Sequence, residues 1–369
     1  MTLPPFGRFF LPGPTDVHHD VLQGMVRGMM PHRGADFEAL FARLVAGLQA
    51  VFRTRRPVFI SSSSATGLME AAVRATPPGR ILAIVNGAFS ERFARIATAC
   101  GRDTVVLDVP WGRGVAPGDL RAALAKGRFA AVTVVHSESS TGAATDIRAV
   151  SDLVHEHGAA CLVDSVTGIG AAPVETDAWG LDFVLTGSQK ALALPPGLAF
   201  AVASEGFMAH AREGTERGVY FDLVEFEQYA LKHQTPNTPA LTLLYALDAQ
   251  LPRIAAEGIE GRWARHAAMA ARTHAWVVEA SSETGLDLGV LAPPGERSRT
   301  VSAVTLPEGV SGGQVVAGAA ARGYVIGDGY GKLKGRTVRI GHMGDHTIDT
   351  LDGCLAACLD ALREVAPRR

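Results

Sequence analysis

This chain has no excess of charge of either sign: 35 basic residues face 37 acidic ones, for a formal net charge of −2. Such balance gives no reason to expect a nucleic acid or a membrane surface as a partner. Long hydrophobic runs are missing as well. The stretch from Gly197 to Ala203 is among the longest and is far too short to span a bilayer. Cysteine is scarce. Cys100, Cys161, Cys354 and Cys358 are scattered in a way that fits neither a disulfide framework nor a zinc pattern. Cys354 and Cys358 lie on one face of an expected helix and read as two core thiols. The opening MTLPPFGRFFLPGPT puts prolines where a signal peptide needs unbroken apolar residues, and no lipidation motif is present. The cytoplasm is the expected compartment. GDGYGK at 327–332 has the wrong spacing for a nucleotide-binding loop.

What is present is enough apolar material for a large core: 47% of 369 residues, a length that favours two domains. Short apolar runs recur at PVFIS (57–61), RILAIV (80–85), TVVLD (104–108), AAVTVV (130–135), ACLVD (160–164), DFVLT (182–186) and GLAFAVA (197–203). Most are apolar throughout, which suits strands buried on both faces. Amphipathic stretches lie between them. Ile147, Val150, Leu153 and Val154 form one stripe on a helix opened by Asp146 as N-cap, and Leu68, Met69, Ala72 and Val73 form another. The alternation predicts an α/β fold with a mostly parallel sheet between helices. Beyond about 250 the pattern changes. A long helix (260–282) and a breaker lead to a strand (300–306), a helix (312–322), two strands (324–327, 336–340) and a closing helix (347–363). That order predicts a smaller α+β unit.

Ligands of open α/β sheets sit beyond the carboxyl ends of the strands. Four ends carry polar groups: Ser62 to Gly67 after the first run, HSESSTG after 130–135, Asp164 at the end of 160–164, and GSQK ending in Lys190 after 182–186. A serine run entering a helix offers free N–H groups, hydroxyls and the positive dipole end to a phosphate, and equally makes an ordinary cap. A carboxylate as deep as Asp164 needs a cation, whether a ligand or a salt-bridge partner. A lysine in a desolvated pocket acquires a nucleophilic amine, whereas most lysines are solvated. Together they meet the three needs of pyridoxal phosphate: an anchor for its phosphate, a partner for its ring nitrogen and an amine for its aldehyde.

The chain resembles the class V aminotransferases of fold type I, in the alanine–glyoxylate and serine–pyruvate branch, over nearly its whole length. The resemblance is carried by PGPT (12–15), HRGADFEALF (32–41), ATGLMEAAV (65–73), NGAFSERF (86–93), HSESSTG (136–142), VDSVTGIG (163–170), TGSQKAL (186–192) with PPG (195–197), TPNTPA (235–240) and GYGKLKGRTVRIGHMGD (329–345). It implies an N-terminal arm (1–20), a large cofactor-binding domain (21–255) built on a seven-stranded sheet, and a small α+β domain (256–369). Lys190 looks like the lysine that binds the cofactor and shuttles the proton, and Asp164 like the partner of the ring nitrogen. The resemblance puts Val166 on one ring face and Phe89 on the other. Ser64, Ala65 and Thr66 would hold the phosphate, with Gln189 beside it and Ser139 near the ring hydroxyl. Thr235, with Gln234, would reach the phosphate of a second subunit, implying a homodimer. Arg339 would bind the substrate carboxylate as a bidentate pair.

Four positions depart from the pattern or leave it open. Ala65 stands where the family commonly has glycine, and Lys232, near Tyr229, where some relatives have tyrosine. His32 and Arg33 match a pair that phosphoserine-directed relatives use, but HR also occurs in this branch, so no phosphorylated substrate follows. The implied reaction is ping-pong transamination from alanine or serine to glyoxylate or pyruvate. Its alternatives are a 2-aminoethylphosphonate or ureidoglycine transaminase, and a lyase or cysteine desulfurase on the same scaffold. A desulfurase needs a mobile cysteine, and Cys354 and Cys358 fall in the closing helix. A binding protein that had lost catalysis would not be expected to keep both Lys190 and Asp164.

Overall fold

The computed structural model describes residues 5–366. In chain order its strands are β1 (Phe9–Phe10), β2 (Val58–Ser61), β3 (Ile81–Val85), β4 (Thr104–Asp108), β5 (Ala131–Val135), β6 (Ser137–Glu138), β7 (Ala143–Ala144), β8 (Ala160–Asp164), β9 (Phe183–Gly187), β10 (Ala199–Ala203), β11 (Gly289–Val290), β12 (Val301–Thr305), β13 (Val325–Asp328) and β14 (Thr337–Gly341). Seven of them form one sheet in the order β2-β10-β9-β8-β5-β3-β4. Only β10 runs against the rest. The carboxyl ends of β2, β9, β8 and β5 therefore share one edge, as the sequence predicts.

The apolar runs become strands because helices cover them. Every residue of β2, β3, β5, β9 and β10 is buried. The exception is β4. Its run TVVLD, at one edge of the sheet, is half-buried with Val106 53% exposed, whereas β2 at the other edge is buried throughout. The expected stripes hold. Asp146 accepts the N–H groups of Arg148 and Ala149 at 3.1 Å, and Ile147, Val150, Leu153 and Val154 are buried behind it. Leu68, Met69, Ala72 and Val73 of helix Ala65–Ala75 are buried too.

A second sheet, β1-β13-β14-β12-β11, carries its own core with helices Gly312–Ala321 and Ile348–Val365. Buried Cys354 and Cys358 belong to this core. Its first strand comes from the far N-terminus: Phe9 and Phe10 pair in parallel with Val325 and Ile326, and Phe10 is fully buried there. Asp16 fixes this arm by accepting the N–H groups of Gly7, Arg8 and Phe9 at 2.9–3.0 Å. Helix Ile259–Thr284 runs from one core to the other. Its Arg262 is 2% exposed and pairs with Asp345 at 2.8 Å, while also donating to Ala191 O at 2.7 Å.

Candidate active site

Asp164 ends β8 with 3% of its surface exposed. Oδ1 accepts the Val166 N–H at 2.8 Å, and Oδ2 makes no hydrogen bond among the described residues. Burial drives its pKa up to about 7. The Val166 hydrogen bond opposes that, Glu138 reinforces it, and Lys190 and Arg92 pull it back down. Lys190 follows β9 and is 9% exposed. Burial lowers its pKa to about 8 against the pull of Asp164, with Arg339 and Arg92 adding to the decrease. A buried carboxylate and a buried amine thus act on each other's ionisation, with no direct ion pair between them among the described residues.

The arm seals the back of Lys190. Its ammonium donates to Pro12 O, and Gly13 adopts φ +111°, where a Cβ would stand 2.2 Å from Nζ. No other residue fits there. Thr15 anchors the next step, its N–H to Gln189 O at 3.1 Å and its hydroxyl to Met343 O at 3.0 Å.

Between β2 and helix Ala65–Ala75, Ser64 is the N-cap yet makes no side-chain capping bond. The N–H groups of Ala65 and Thr66 and the Thr66 hydroxyl have no acceptor or partner among the described residues. These are the free donors an anion needs at a helix start. Gln189 adjoins this cup: a Cβ at Gly187 would lie 3.0 Å from its Oε1 and 3.6 Å from Ala65 Cβ. Val166 receives the Thr186 hydroxyl on its carbonyl at 3.0 Å, which fixes it at the same edge.

Arg339 reaches in from β14. It is 9% exposed, donates from Nε to Asp328 O at 2.9 Å and from Nη1 to Ser139 O at 3.1 Å, and forms no ion pair among the described residues. Ser139 is buried, and its hydroxyl makes no hydrogen bond within them. Phe89 stands at the mouth, stacked on Tyr330 with centroids 5.7 Å apart and with the Arg92 guanidinium 4.9 Å from its own.

Thr235 lies apart from this group within one chain. It is 4% exposed, its hydroxyl donates to Asn237 O at 2.7 Å, and it lines a small cavity with Ser61 and Ser62 on the strand side of the cup. Gln234 is likewise engaged elsewhere, with Glu38 and Arg33. Arg33 grips the same turn, donating to Thr235 O at 2.6 Å and Pro236 O at 3.1 Å. The HR pair therefore includes a turn-holding arginine. Lys232 is exposed with Nζ 5.5 Å from the Tyr229 ring.

Sequence reasoning missed Arg92, Tyr330 and Glu138 as neighbours of the site. Arg92 is three residues beyond Phe89, one helical turn away, and that spacing was the available signal. Glu138 and Tyr330 carried no local signal of their role.

A class-V aminotransferase model matches residues 21–306. The chain belongs to the class-V aminotransferase family. It is 33% identical to a serine–glyoxylate aminotransferase of Methylorubrum extorquens, over 94% of this chain and 89% of that one. It is also 33% identical to an L-aspartate–glyoxylate aminotransferase of Paracoccus denitrificans, over 92% and 86%. A solved alanine–glyoxylate aminotransferase from Nostoc superposes with a TM-score of 0.90 at 30% identity, covering 98% of this chain and 97% of that one. This class-V aminotransferase has the fold-type I architecture and uses pyridoxal phosphate. The residues present fit that group: a free carboxylate oxygen on Asp164, a desolvated amine on Lys190 and an unfilled cup of donors at Ala65 and Thr66. None of its helices among the described residues is long and apolar enough to cross a membrane.

Proposed function

We propose that this aminotransferase moves an amino group from alanine or serine to glyoxylate or pyruvate in a ping-pong cycle. The observation that carries the residue assignment is that Lys190 and Asp164 are both buried, act on each other's charge and are each shifted by burial toward the neutral form. Bound pyridoxal phosphate supplies an electron sink for the negative charge that develops on the substrate Cα. Asp164, with Oδ2 unengaged among the described residues, would accept from the cofactor's ring nitrogen and favour its charged form. Lys190, with a pKa near 8, has a fraction of neutral amine at pH 7 and carries the proton between substrate carbon and cofactor. Ser64, Ala65 and Thr66 would hold the phosphate with Gln189, Val166 and Phe89 would bracket the ring, and Ser139 would bond the ring hydroxyl. Arg339 binds the substrate carboxylate with the part of its fork left free by Asp328 and Ser139. The donor class rests on the serine– and alanine–glyoxylate relatives. L-Alanine or L-serine added to the holoenzyme is expected to abolish the absorption band of the lysine-bound cofactor, and glyoxylate or pyruvate to restore it. A band unmoved by either donor would rule out this pairing.

We read the two cores as a large domain to about residue 255 and a small one beyond it, with the arm serving both. We also propose a homodimer in which the Thr235 turn completes the partner's phosphate cup. Val26, Met29, Val219 and Leu231, 67–90% exposed, lie on the segments around that turn and offer an apolar contact. Light scattering should give twice the chain mass. A fully active monomer would refute the shared site. Free cysteines suit the cytoplasm, where we place the enzyme.

A further inference from the structure

Glu138 is fully buried, and no cation pairs with it among the described residues. Five hydrogen bonds from neutral donors hold its carboxylate instead. Oε2 accepts the N–H groups of Phe89 and Ser90 at 3.0 Å each and the Ser90 hydroxyl at 3.2 Å. Oε1 accepts the N–H and hydroxyl of Ser140 at 3.1 and 2.6 Å. The Ser140 hydroxyl in turn accepts the Ala88 N–H at 3.0 Å. Helix Ala88–Ala99 thus has its first three N–H groups capped by a turn 50 residues away in sequence rather than by its own N-cap, Gly87. A carboxylate at that helix end is favoured by the dipole and by charge-assisted bonds. Gly87 permits the approach, since a Cβ there would stand 2.4 Å from Glu138 Cγ.

The contacts then close into a ring. Glu138 fixes Phe89 by its backbone. Phe89 stacks on Tyr330, the Arg339 guanidinium lies 5.4 Å from the Tyr330 ring centroid, and Arg339 donates to the carbonyl of Ser139, the residue after Glu138. One turn therefore sets the aromatic at the cofactor face and the cation that awaits the substrate carboxylate. We propose that Glu138 is a positioning residue that holds Phe89 and Arg339 in register across the cofactor pocket. It does so through bonds to the Phe89–Ser90 turn and through the neighbouring Ser139 carbonyl. This rests on the cofactor assignment and not on the choice of amino donor.

The test uses the full chain stripped of cofactor and titrated with pyridoxal phosphate. Binding is read by tryptophan fluorescence and by circular dichroism induced in the cofactor band. Glu138→Gln keeps the shape but puts an amide N–H₂ against donors. It is expected to raise the Kd for pyridoxal phosphate at least about tenfold and diminish the induced signal. It is also expected to raise KM for the amino donor more than it lowers kcat, with far-ultraviolet dichroism unchanged. In a Phe89→Leu background the same substitution should weaken cofactor binding by less than about threefold, because its route through Phe89 is already gone. A Glu138→Gln protein that binds within twofold of wild type with the same induced signal overturns the proposal. So does a Kd effect of full size in the Phe89→Leu background. Should Glu138→Gln fail to fold, Ser140→Ala removes one donor and leaves the charge. It is expected to raise Kd about threefold to tenfold, and an unchanged Kd overturns the proposal equally. Wild-type protein that fails to bind the probe would sink the cofactor assignment itself.

Discussion

At the scale of single residues, burial shifts Asp164 and Lys190 each toward its neutral form. Asp164 has its folded pKa raised by burial from 3.8 to about 7. Between those values the unfolded chain has released this proton and the folded chain has kept it. Its stabilising contribution is thus complete below pH 3.8 and is lost as pH rises toward 7, at a rate of no more than about 1.4 kcal/mol per pH unit. Asp164→Asn keeps an acceptor for the Val166 N–H and removes the buried charge. In the cofactor-free protein at pH 8 it should raise Tm by a few degrees. It should also cut the transamination rate by roughly 10²-fold or more, because an amide cannot keep the ring nitrogen charged. Calorimetry and a steady-state assay on one preparation check both signs. Lys190 and Asp164 are legible in the sequence because Asp164 ends, and Lys190 closely follows, a strand of unmistakable apolar character. Arg33 is legible only as a motif. Its grip on Thr235 O and Pro236 O spans 202 and 203 residues and has no local signature.

At the scale of elements, continuous apolar runs locate all seven strands of the large sheet to within two residues at either end, since burial on both faces erases alternation. They do not tell an edge from a centre, and β4 is the result. Nor do they reveal β1, two phenylalanines whose pairing with β13 is set by contacts more than 300 residues distant. The helix Ile259–Thr284 follows from its pattern, but its buried arginine does not. Arg262 joins Asp345 and Ala191 O, so the helix supports the loop that follows Lys190. Burial alone would raise the Asp345 pKa, yet Arg262, Gln250 and Arg253 outweigh it and hold the carboxyl below its usual value. Asp345→Ala leaves a buried guanidinium with fewer partners. It should cost about 3–5 kcal/mol in urea denaturation at pH 7, more than the same change at half-exposed Asp360. Equal costs at the two sites would show that the pair is not a structural anchor.

At the scale of the whole molecule, buried and half-buried imidazoles weaken the fold toward acid. Burial lowers the pKa of His136 and His274 to about 4 and of His342 to about 3. Arg299 adds to the shift at His136 and Arg297 at His274. Below pH 6.5 the unfolded chain takes up protons on these rings and the folded chain does not. The contribution of these imidazoles is therefore whole above 6.5 and declines as pH falls to about 4 and then 3. The urea midpoint should drop steadily across that window, and His342→Gln should flatten the slope. An unchanged slope would mean that His342 titrates normally in the fold.

The arm that carries β1 has a mechanical consequence. Phe10 is embedded in the core of the smaller unit, and two residues later the carbonyl of Pro12 grips the Lys190 ammonium rooted in the larger sheet. A leash that short transmits displacement. A displacement of that core against the sheet would pull directly on this ammonium, the group proposed above to carry the proton, and so act on the basicity of a single nitrogen.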